Sequence, residues 1–286
     1  MFQSTKSQRR KLARAFKQRN IIFLLKAGLF YAHLSHLCTF RRGEYKMRAF
    51  FTPFAFWLWS EPARERSDEF FYRRFLREGD TVVDVGANIG LCTLLSAHIV
   101  GTRGHVYSFE PHPRTFSQLQ KNIQLNKCNQ VSAMQIGASN EFEHIFFTDE
   151  YVSDINHVDT RGSIQVILKP LDEIVPKECT SITLLKIDVE GYELFALMGA
   201  EKKLTDTKVI YFESAPRSFE RYGYTLKDIV SFLGMRGFTV YKTDQDIQLF
   251  PIQKDYQTVC GYENLIAVRD TDLAWLQARL KASQNS

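Results

Sequence analysis

The sequence predicts an α/β fold, in which a mostly parallel sheet is covered by helices on both faces. From residue 81 to residue 269, short apolar and β-branched runs that are typical of buried strands alternate with stretches of helical periodicity. The first of these runs is followed by a glycine-bearing turn and a helix. The chain has 286 residues, of which 44% are hydrophobic, so it can bury a sizeable core as one domain with an appendage.

Seven strands are predicted for the sheet, and helices separate most of them. The strands cover residues 81–85, 105–109, 131–136, 182–187, 209–213, 238–243 and 265–269. The helices cover residues 67–76, 91–99, 113–126, 190–204, 225–233 and 271–281. Pro113 suits a first helical turn, and Thr225 suits an N-cap. Residues 143–148 and 163–168 alternate in a way that favours a hairpin or an insertion.

The segment TVVDVGANIG, residues 81–90, predicts a binding site for a nucleoside cofactor. Gly86 can adopt backbone angles closed to other residues and lets a ligand approach the main chain, while Gly90 permits close contact where the helix begins. A carboxyl or amino acid group could then lie over exposed amides of the turn. Glu110, at the end of the second strand, falls where a carboxylate can accept hydrogen bonds from ribose hydroxyls.

The turn also indicates which cofactor binds. It reads GxNxG instead of GxGxxG, which makes a nicotinamide site the minority interpretation. Asp84 lies on the strand itself, where it can hydrogen-bond the turn and the ammonium of an amino-acid-bearing cofactor. S-adenosylmethionine fits both ends of such a site. The alternative is that Asp84 is a buried turn aspartate and that the glycines serve only the bend.

Acidic residues collect where the predicted strands end. Because ligands of open α/β sheets bind beyond the carboxyl ends of the strands, one edge of the sheet is expected to carry Asp84, Glu110, Asp188 and Glu213. Strand alternation places Lys186 and Asp188 on the same side. The sequence therefore predicts a cluster of carboxylates at the ligand-binding edge.

These acids suit the transfer of a methyl group to a hydroxyl. A hydroxyl that attacks a sulfonium methyl needs alignment with the bond that breaks and a group that accepts its proton. Asp188 is the first candidate for that group, and Glu190 and Glu213 are the next. A structural alternative is that Glu190 caps the following helix and that Glu193 faces solvent. The spacing fixes no ligand set for a divalent metal, so no metal ligand is predicted.

Residues 1–66 are predicted to form a basic, aromatic-rich extension ahead of a catalytic domain at residues 67–286. Residues 1–50 carry a net charge of +11, whereas the whole chain carries +5. Such clustered cations can bind an anionic membrane surface or nucleic acid, or they can form a solvated helix face. Residues 49–63 contain six aromatic side chains and are expected to form a packed cap or gate.

Residues 21–40 are long enough to span a bilayer, but Lys26, His33 and His36 interrupt them. We interpret this segment as amphipathic. A cleaved secretory signal is disfavoured because no small-residue cleavage site follows. The five cysteines are widely spaced and form no CxxC pair, which argues against a disulfide framework and a zinc site. The expected location is the cytoplasm, with peripheral contact at the inner membrane surface through residues 1–40.

Several motifs in order carry a family resemblance. VVDVGANIG, SFEPHP with a following NIQLN, LLKIDVEGYE with MGA, and VIYFE resemble the FkbM family of S-adenosylmethionine-dependent methyltransferases. The resemblance covers roughly residues 79–241. It implies a class I (Rossmann-like) methyltransferase fold of seven strands, one of them antiparallel. It also implies O-methylation of hydroxyls on sugars, glycans or polyketide-type products, and hence a small-molecule or glycan acceptor.

The resemblance assigns roles by position. The methionine end of the cofactor would be held by Asp84, Gly86, Asn88 and Gly90. Glu110 would bind the ribose, and Asp188 and Glu190 would border the methyl acceptor. Residues 137–140 follow the third strand, where such folds meet the adenine, and Ser139 is the candidate for that contact.

Three other functions stay open. The chain could be an inactive cofactor-binding or membrane-tethered interaction protein. An NAD-dependent oxidoreductase is disfavoured because GANIG replaces GxGxxG. Methylation of a nucleic-acid base is disfavoured because DVEG stands where amino-directed enzymes carry Asn or Asp followed by Pro-Pro and an aromatic residue, although the basic N-terminal segment keeps it open. The sequence leaves the oligomeric state open.

Overall fold

The computed structural model describes residues 21–63, 67–149, 157–159, 161–253, 255–258 and 261–282. The basic run before residue 21 and Cys260 lie outside these residues. The other four cysteines are free thiols. In the described part of the chain, no helix combines the length and the apolar composition that a bilayer crossing needs.

The N-terminal elements are a helix, a hairpin and two further helices. They are α1 (Ile21–Tyr31), β1 (Thr39–Arg42), β2 (Tyr45–Arg48), α2 (Pro53–Ser60) and α3 (Ser67–Phe75). β1 and β2 pair antiparallel in a sheet of their own. Helix α2 begins at Pro53 because Thr52 caps it, its hydroxyl accepting a hydrogen bond from the Ala55 amide at 3.2 Å.

The remaining strands and helices alternate along the chain. The strands are β3 (Thr81–Val85), β4 (His105–Phe109), β5 (Val131–Met134), β6 (Gly137–Ala138), β7 (Glu143–Phe147), β8 (Ile164–Lys169), β9 (Ile182–Ile187), β10 (Thr207–Ser214), β11 (Phe238–Thr243), β12 (Leu249–Pro251) and β13 (Glu263–Arg269). The helices are α4 (Leu91–Val100), α5 (Pro113–Asn126), α6 (Leu171–Ile174), α7 (Glu193–Met198), α8 (Glu201–Asp206), α9 (Pro216–Arg221), α10 (Leu226–Gly234) and α11 (Leu273–Ala282).

An eight-stranded sheet forms the centre of the fold, in the order β12-β11-β13-β10-β9-β3-β4-β5. The neighbours from β10 to β5 run parallel, whereas β13 is antiparallel to both β10 and β11. All seven predicted strands are present, and β13 is the one antiparallel strand among them. The predicted class I (Rossmann-like) fold is therefore confirmed. The sequence analysis missed β12, a three-residue strand that pairs with β11 at the edge of the sheet.

A second, three-stranded sheet has the order β6-β8-β7. β7 and β8 form the predicted antiparallel hairpin, and β6 pairs parallel with β8. The predicted third strand ends two residues early, at Met134, because the chain leaves the large sheet to form β6. This small sheet places Ser139 directly after β6.

The predicted helix at residues 190–204 is wrong as one element, because the structure divides it into α7 and α8. At its start, Glu190 and Gly191 have positive φ angles of 55° and 104°, which a helix does not allow. At the break, a Cβ on Gly199 would lie 1.9 Å from the Ser139 carbonyl oxygen. The glycine thus lets the helical segment pack against the small sheet.

The hydrophobic core lies on both faces of the large sheet. One face buries Val83, Ile187 and Phe212 under α7 to α10. The other buries Val82, Leu94 and Ile266 together with side chains of the N-terminal elements, which include Phe30, Phe40, Tyr45, Met47 and Trp59. The described part of the extension therefore shares one core with the sheet. The domain boundary between residues 66 and 67 stays a prediction.

Candidate active site

The site lies where β3, β4 and β9 end level with one another beside β10, which continues to Ser214. Val85 is paired with both Phe109 and Ile187, and Ile187 is paired with Phe212. The next residues on these strands are Gly86, Glu110, Asp188 and Glu213, which we call the end row. The predicted meeting of Glu110, Asp188 and Glu213 at one edge is confirmed. Asp84 lies two positions before Gly86 and is fully buried within the sheet.

The turn after β3 satisfies its own amides. Gly86 and Ala87 both donate to the Phe109 carbonyl oxygen at 3.0 Å, and Gly90 donates to Ala87 at 2.9 Å. Asn88 donates to Glu110 Oε2 at 2.9 Å, and its own side chain accepts from the Ile89 amide at 2.8 Å. The prediction that a ligand lies over exposed amides of this turn is therefore wrong for residues 86–90. The short turn closes by internal hydrogen bonds because Asn88 supplies a side-chain acceptor.

Gly86 is required by the neighbouring strand. Its φ is 77°, and a Cβ there would lie 1.9 Å from the Asp188 carbonyl oxygen. Gly90 has a φ of 95°, and a Cβ added there would lie 2.7 Å from the Leu119 side chain. The sequence analysis predicted close approach at both glycines. The approaching groups in the structure are the protein's own backbone at Gly86 and its own core at Gly90.

Asp84 and Lys186 form a buried ion pair below the turn. Lys186 Nζ lies 3.2 Å from Asp84 Oδ1, and Thr93 donates its hydroxyl to Asp84 Oδ2 at 2.6 Å. The ammonium also donates to the Gly86 carbonyl oxygen at 2.7 Å. Burial lowers the pKa of Lys186, but the charges of Asp84 and Asp188 raise it, and the result lies above the ordinary value. Lys186 thus remains charged, and Asp84 contacts the turn through it.

Glu110 is held by two backbone amides. Its Oε2 accepts from Asn88 and its Oε1 accepts from the His112 amide at 3.0 Å. Burial raises the pKa of this carboxyl to about 7, although the two amides and the charge of Lys186 lower it. Each carboxylate oxygen has two lone pairs, so each can still accept one bond from a ribose hydroxyl. The predicted ribose acid is thereby fixed in one orientation.

The turn after β9 carries three acids with different surroundings. The Asp188 side chain is 42% exposed and lies 3.6 Å from Lys186 Nζ. Glu193 is only 1% exposed, and it accepts hydrogen bonds from the amides of Val189 at 2.9 Å and Gly191 at 3.3 Å. The expectation that Glu193 faces solvent is wrong, because its carboxyl is buried and accepts these amides. The expectation that Glu190 caps the following helix is also wrong, because the N-cap position of that helix is Tyr192. Glu190 is half-buried in the left-handed region.

Glu213 is the most perturbed carboxyl of the end row. Burial raises its pKa to about 8, and the charges of Asp188 and Glu193 add to this effect. Burial also raises the pKa of Glu193 to about 7, against the hydrogen bond from Val189. At neutral pH these two carboxyls therefore hold protons for a large fraction of the time, next to the more open carboxylate of Asp188.

Ser139 is fully buried between the two sheets. Its hydroxyl donates to Glu143 Oε2 at 2.7 Å, and the Tyr192 hydroxyl contacts the same oxygen at 3.3 Å. Its amide donates to the Lys169 carbonyl oxygen at 3.0 Å. Ser139 therefore stabilises the small sheet, and Glu143 links that sheet to Tyr192 in the turn after β9.

One residue that the sequence analysis did not select is Asn122 on α5. It is fully buried, donates to the Ile89 carbonyl oxygen at 2.8 Å and accepts from the Arg48 amide at 2.9 Å. Asn126, one helical turn later, makes a matching pair of bonds to the backbone of Lys46. The i, i+4 asparagines of NIQLN were a visible signal. Asn122 attaches the N-terminal hairpin to the turn after β3, and Asn126 attaches the hairpin to α5.

In the described residues, no group of three or more histidine, cysteine, aspartate or glutamate side chains is arranged to bind a metal ion.

Known proteins resemble this chain in its central region. The family model described as the methyltransferase FkbM domain matches residues 84–240. The hexuronic acid methyltransferase AglP of Haloferax volcanii is 32% identical over 139 residues, which cover 48% of this chain and 56% of that protein. Methyltransferase 1 of Beauveria bassiana is 27% identical over 151 residues, covering 44% and 60% respectively. The chain thus matches little more than half the length of either relative.

A solved structure of an FkbM methyltransferase from Methylobacillus flagellatus is 15% identical, with a TM-score of 0.46, and the alignment covers 76% of this chain and 54% of that one. The family model takes in more than half of the chain and contains the whole end row. By this match, the chain belongs to the FkbM family of methyltransferases.

Proposed function

We propose that the chain is an S-adenosylmethionine-dependent methyltransferase that methylates a hydroxyl on a sugar, a glycan or a similar small molecule. The end row carries this proposal, because the register of β3, β4, β9 and β10 brings the proposed ribose-binding acid and a partly open carboxylate to the same edge of the sheet. The catalytic domain is proposed to extend over residues 67–286, preceded by the extension at residues 1–66.

The charges of the site favour a cationic cofactor. Lys186 is the cation that touches Asp84 and Asp188, while Glu110, Glu193 and Glu213 add further acidic groups. S-adenosylmethionine carries a sulfonium, an ammonium and one carboxylate, so its net charge is positive and would offset the negative charge that remains on these acids. The pyrophosphate of a nicotinamide cofactor would increase it, and the amides of residues 86–90 already donate within the protein.

The proposed cofactor contacts follow from this arrangement. Glu110 would accept hydrogen bonds from the ribose hydroxyls, and the turn with Gly86, Asn88 and Gly90 would lie along the methionine end. Asp84 is fully buried and would act through Lys186 and Thr93, which contact its carboxylate. Ser139 would border the adenine through the loop that it stabilises. When bound, S-adenosylmethionine supplies an electrophilic methyl group.

The acceptor side would orient the hydroxyl and take its proton. Asp188 is the open carboxylate of the end row, so it is proposed to accept a hydrogen bond from the acceptor hydroxyl. Glu213 comes directly after Phe212, the residue of β10 that is paired with Ile187 of β9. The raised pKa of Glu213 favours a protonated carboxyl, which can donate a hydrogen bond to the acceptor. Glu190 would border the acceptor from the left-handed turn. The name of the Haloferax volcanii relative supports a sugar as the acceptor class.

Calorimetric titration with S-adenosylmethionine tests the cofactor. The unaltered protein should bind it, and Glu110→Ala should weaken binding by about tenfold to a hundredfold, because hydrogen bonds to a charged group are lost. Glu220→Ala, at an exposed position on α9, is the matched control and should bind normally. Absence of binding to the unaltered protein, or tighter binding of NADH, would contradict the proposal.

Methyl transfer needs a second test. Radiolabelled cofactor is incubated with neutral sugars, hexuronic acids and oligosaccharides, and the product is tested for stability to base to separate a methyl ether from a methyl ester. A base-stable methylated sugar supports the proposal. Cofactor binding without transfer to any acceptor of these classes would favour the alternative of an inactive binding protein, and transfer to RNA or DNA would favour a nucleic-acid methyltransferase.

We also propose that the protein contacts an anionic membrane surface from the cytoplasmic side. Ile21, Ile22 and Leu25 on α1 are 63–68% exposed, and Leu37 after the helix is 70% exposed. The sequence before residue 21 is rich in lysine and arginine and contains no acid. Apolar side chains beside clustered cations favour an anionic bilayer over a neutral one.

Flotation with vesicles of phosphatidylglycerol and phosphatidylcholine measures this contact. Binding should fall with salt, and the triple variant Ile21→Ser, Ile22→Ser, Leu25→Ser should abolish it. Met235→Ser removes an apolar side chain that is 79% exposed on another part of the surface, so it serves as the matched control. Equal flotation of the triple variant and the control would contradict the membrane proposal.

A further inference from the structure

The side chain of Lys186 contacts both the turn after β3 and the Asp188 carboxylate of the end row. Its ammonium contacts the carbonyl oxygens of Val85 at 3.3 Å and Gly86 at 2.7 Å, both on the side of β3. The same ammonium lies 3.2 Å from Asp84 Oδ1 and 3.6 Å from Asp188 Oδ2. We propose that Lys186 is a positioning residue that holds the cofactor turn and the Asp188 carboxylate in one fixed arrangement.

The backbone around Lys186 supports this role. The Asp188 amide donates to the Val85 carbonyl oxygen at 3.2 Å, and a Cβ on Gly86 would overlap the Asp188 carbonyl oxygen. The turn after β3 and the turn after β9 are therefore in direct contact. Lys186 comes two residues before Asp188 on the same strand, so its side chain lies on the same side of the sheet and lies under this contact. A shift of the turn thus moves the ammonium and with it the partner of Asp188.

A simpler role would be neutralisation of Asp84. Asp84 is fully buried, and an unpaired carboxylate there would be costly. That role requires one contact, whereas the structure has four, and two of them are to carbonyl oxygens that carry no net charge. The contact with Asp188 also reaches a side chain that is 42% exposed and therefore needs no neutralisation for burial. These contacts are explained by positioning.

The test separates the two roles by removing the pair as well as the lysine. Four proteins are compared: the unaltered protein, Asp84→Asn, Lys186→Met and the double variant. Lys186→Met alone leaves Asp84 without its cation and can fail to fold, whereas the double variant removes both buried charges together. Circular dichroism and thermal melting establish which variants fold, and calorimetry measures the binding of S-adenosylhomocysteine, so no acceptor is needed.

Positioning by Lys186 predicts a defect that the double variant retains. It should fold and bind S-adenosylhomocysteine at least about tenfold more weakly than Asp84→Asn, because the turn has lost the ammonium from its carbonyl oxygens. The pH dependence of binding should also move to higher pH, since Lys186 is one of the charges that lower the pKa of Glu110. The charged groups that face Glu110 are Lys186 and Asp84, and the double variant changes both. Its pH dependence is therefore compared with that of Asp84→Asn, from which it differs only at Lys186.

Two results would overturn this proposal, which rests on the proposed function. If the double variant binds S-adenosylhomocysteine as tightly as Asp84→Asn and with the same pH dependence, Lys186 only neutralises Asp84. If the double variant does not fold while Asp84→Asn does, Lys186 has a stabilising role that does not depend on the cofactor turn. Failure of the unaltered protein to bind either form of the cofactor would instead contradict the proposed function itself.

Discussion

The two halves of the end row differ in how their polar groups are satisfied. In the half formed by β3 and β4, every amide from Gly86 to Gly90 donates within the protein, and Glu110 accepts two amides. In the half formed by β9 and β10, burial and the charge of Asp188 raise the pKa values of Glu193 and Glu213, with Lys186 as a cation near Asp188. The first half is therefore fixed by hydrogen bonds, although burial raises the pKa of Glu110 to about 7. The second, which we call the unsettled half, keeps repulsion between carboxylates that a bound ligand can relieve.

The largest effect is expected from Asp188, because it is the open carboxylate of the unsettled half. Asp188→Asn should lower the rate of methyl transfer by about a hundredfold to ten-thousandfold, as for the loss of a positioned proton acceptor. It should leave the affinity for S-adenosylhomocysteine within about threefold, since the asparagine keeps the volume and the backbone contact. Single-turnover kinetics and calorimetry measure the two quantities. Equal losses in rate and in affinity would contradict this separation, in which Asp188 serves methyl transfer and the half formed by β3 and β4 binds the cofactor.

Gly86→Ala tests the contact between the halves. An alanine would take a positive φ and would place its Cβ 1.9 Å from the Asp188 carbonyl oxygen. The free energy of unfolding should fall by about 3–5 kcal/mol, from the strained backbone and the overlap together. Gly79→Ala is the matched control, because Gly79 has a φ of 88° but no atom within 4 Å of an added Cβ. That variant should lose only about 1–2 kcal/mol, and equal losses in chemical denaturation would remove the role of the contact.

Burial and, to a smaller extent, repulsion between carboxylates in the second half should appear as pH-dependent stability. Burial raises the pKa of Glu193 to about 7 and that of Glu213 to about 8, above the ordinary value of 4.5. The folded state therefore binds more protons than the unfolded state between about pH 4.5 and about pH 8, and the free energy of unfolding falls as pH rises through that window. Glu213→Gln should flatten this dependence in urea titrations, and Glu220→Gln should not change it. An equal pH dependence of the free energy of unfolding in both variants would contradict the raised pKa of Glu213 in the folded state.

A smaller effect is expected where the first half meets the N-terminal hairpin. Asn122→Ala leaves the Ile89 carbonyl oxygen and the Arg48 amide without their side-chain partner, which should cost about 1–3 kcal/mol of unfolding free energy. Asn126→Ala removes two bonds that are nearer to solvent and should cost about 0.5–1.5 kcal/mol. Thermal denaturation compares them. A greater loss for Asn126→Ala would mean that the hairpin, and not the cofactor turn, depends on this face of α5.

The fold was largely predictable because its strands are strongly apolar and its helices carry local signals. Strands 81–85, 105–109, 182–187 and 238–243 have the predicted bounds, and Thr225 forms the predicted cap with a full capping box. The predictions that failed depended on contacts between residues that are far apart in the sequence. Gly199 ends α7 because the Ser139 carbonyl oxygen lies against it, and that neighbour is 60 residues away in the sequence.

The site was predictable as a set of residue types but not as a set of contacts. Strand alternation and strand ends were enough to bring Lys186, Asp188, Glu110 and Glu213 together. The sequence could not show that Glu193 accepts the amides of its own turn, because that depends on the left-handed backbone at Glu190. It also could not show that the amides after β3 would be satisfied internally. Contacts of this kind depend on backbone angles, which motif spacing does not specify.

The register that aligns β3, β4, β9 and β10 at the end row also determines how the chain tolerates changes in length. One residue added within β9 would move Asp188 along the strand by about 3.3 Å and turn it to the opposite face, away from Gly86 and Glu213. Residues added in the hairpin of β7 and β8 would leave all four strand ends in register. Natural variation in acceptor preference is therefore expected to enter through insertions in the connecting segments, while the lengths of β3, β4, β9 and β10 stay constant.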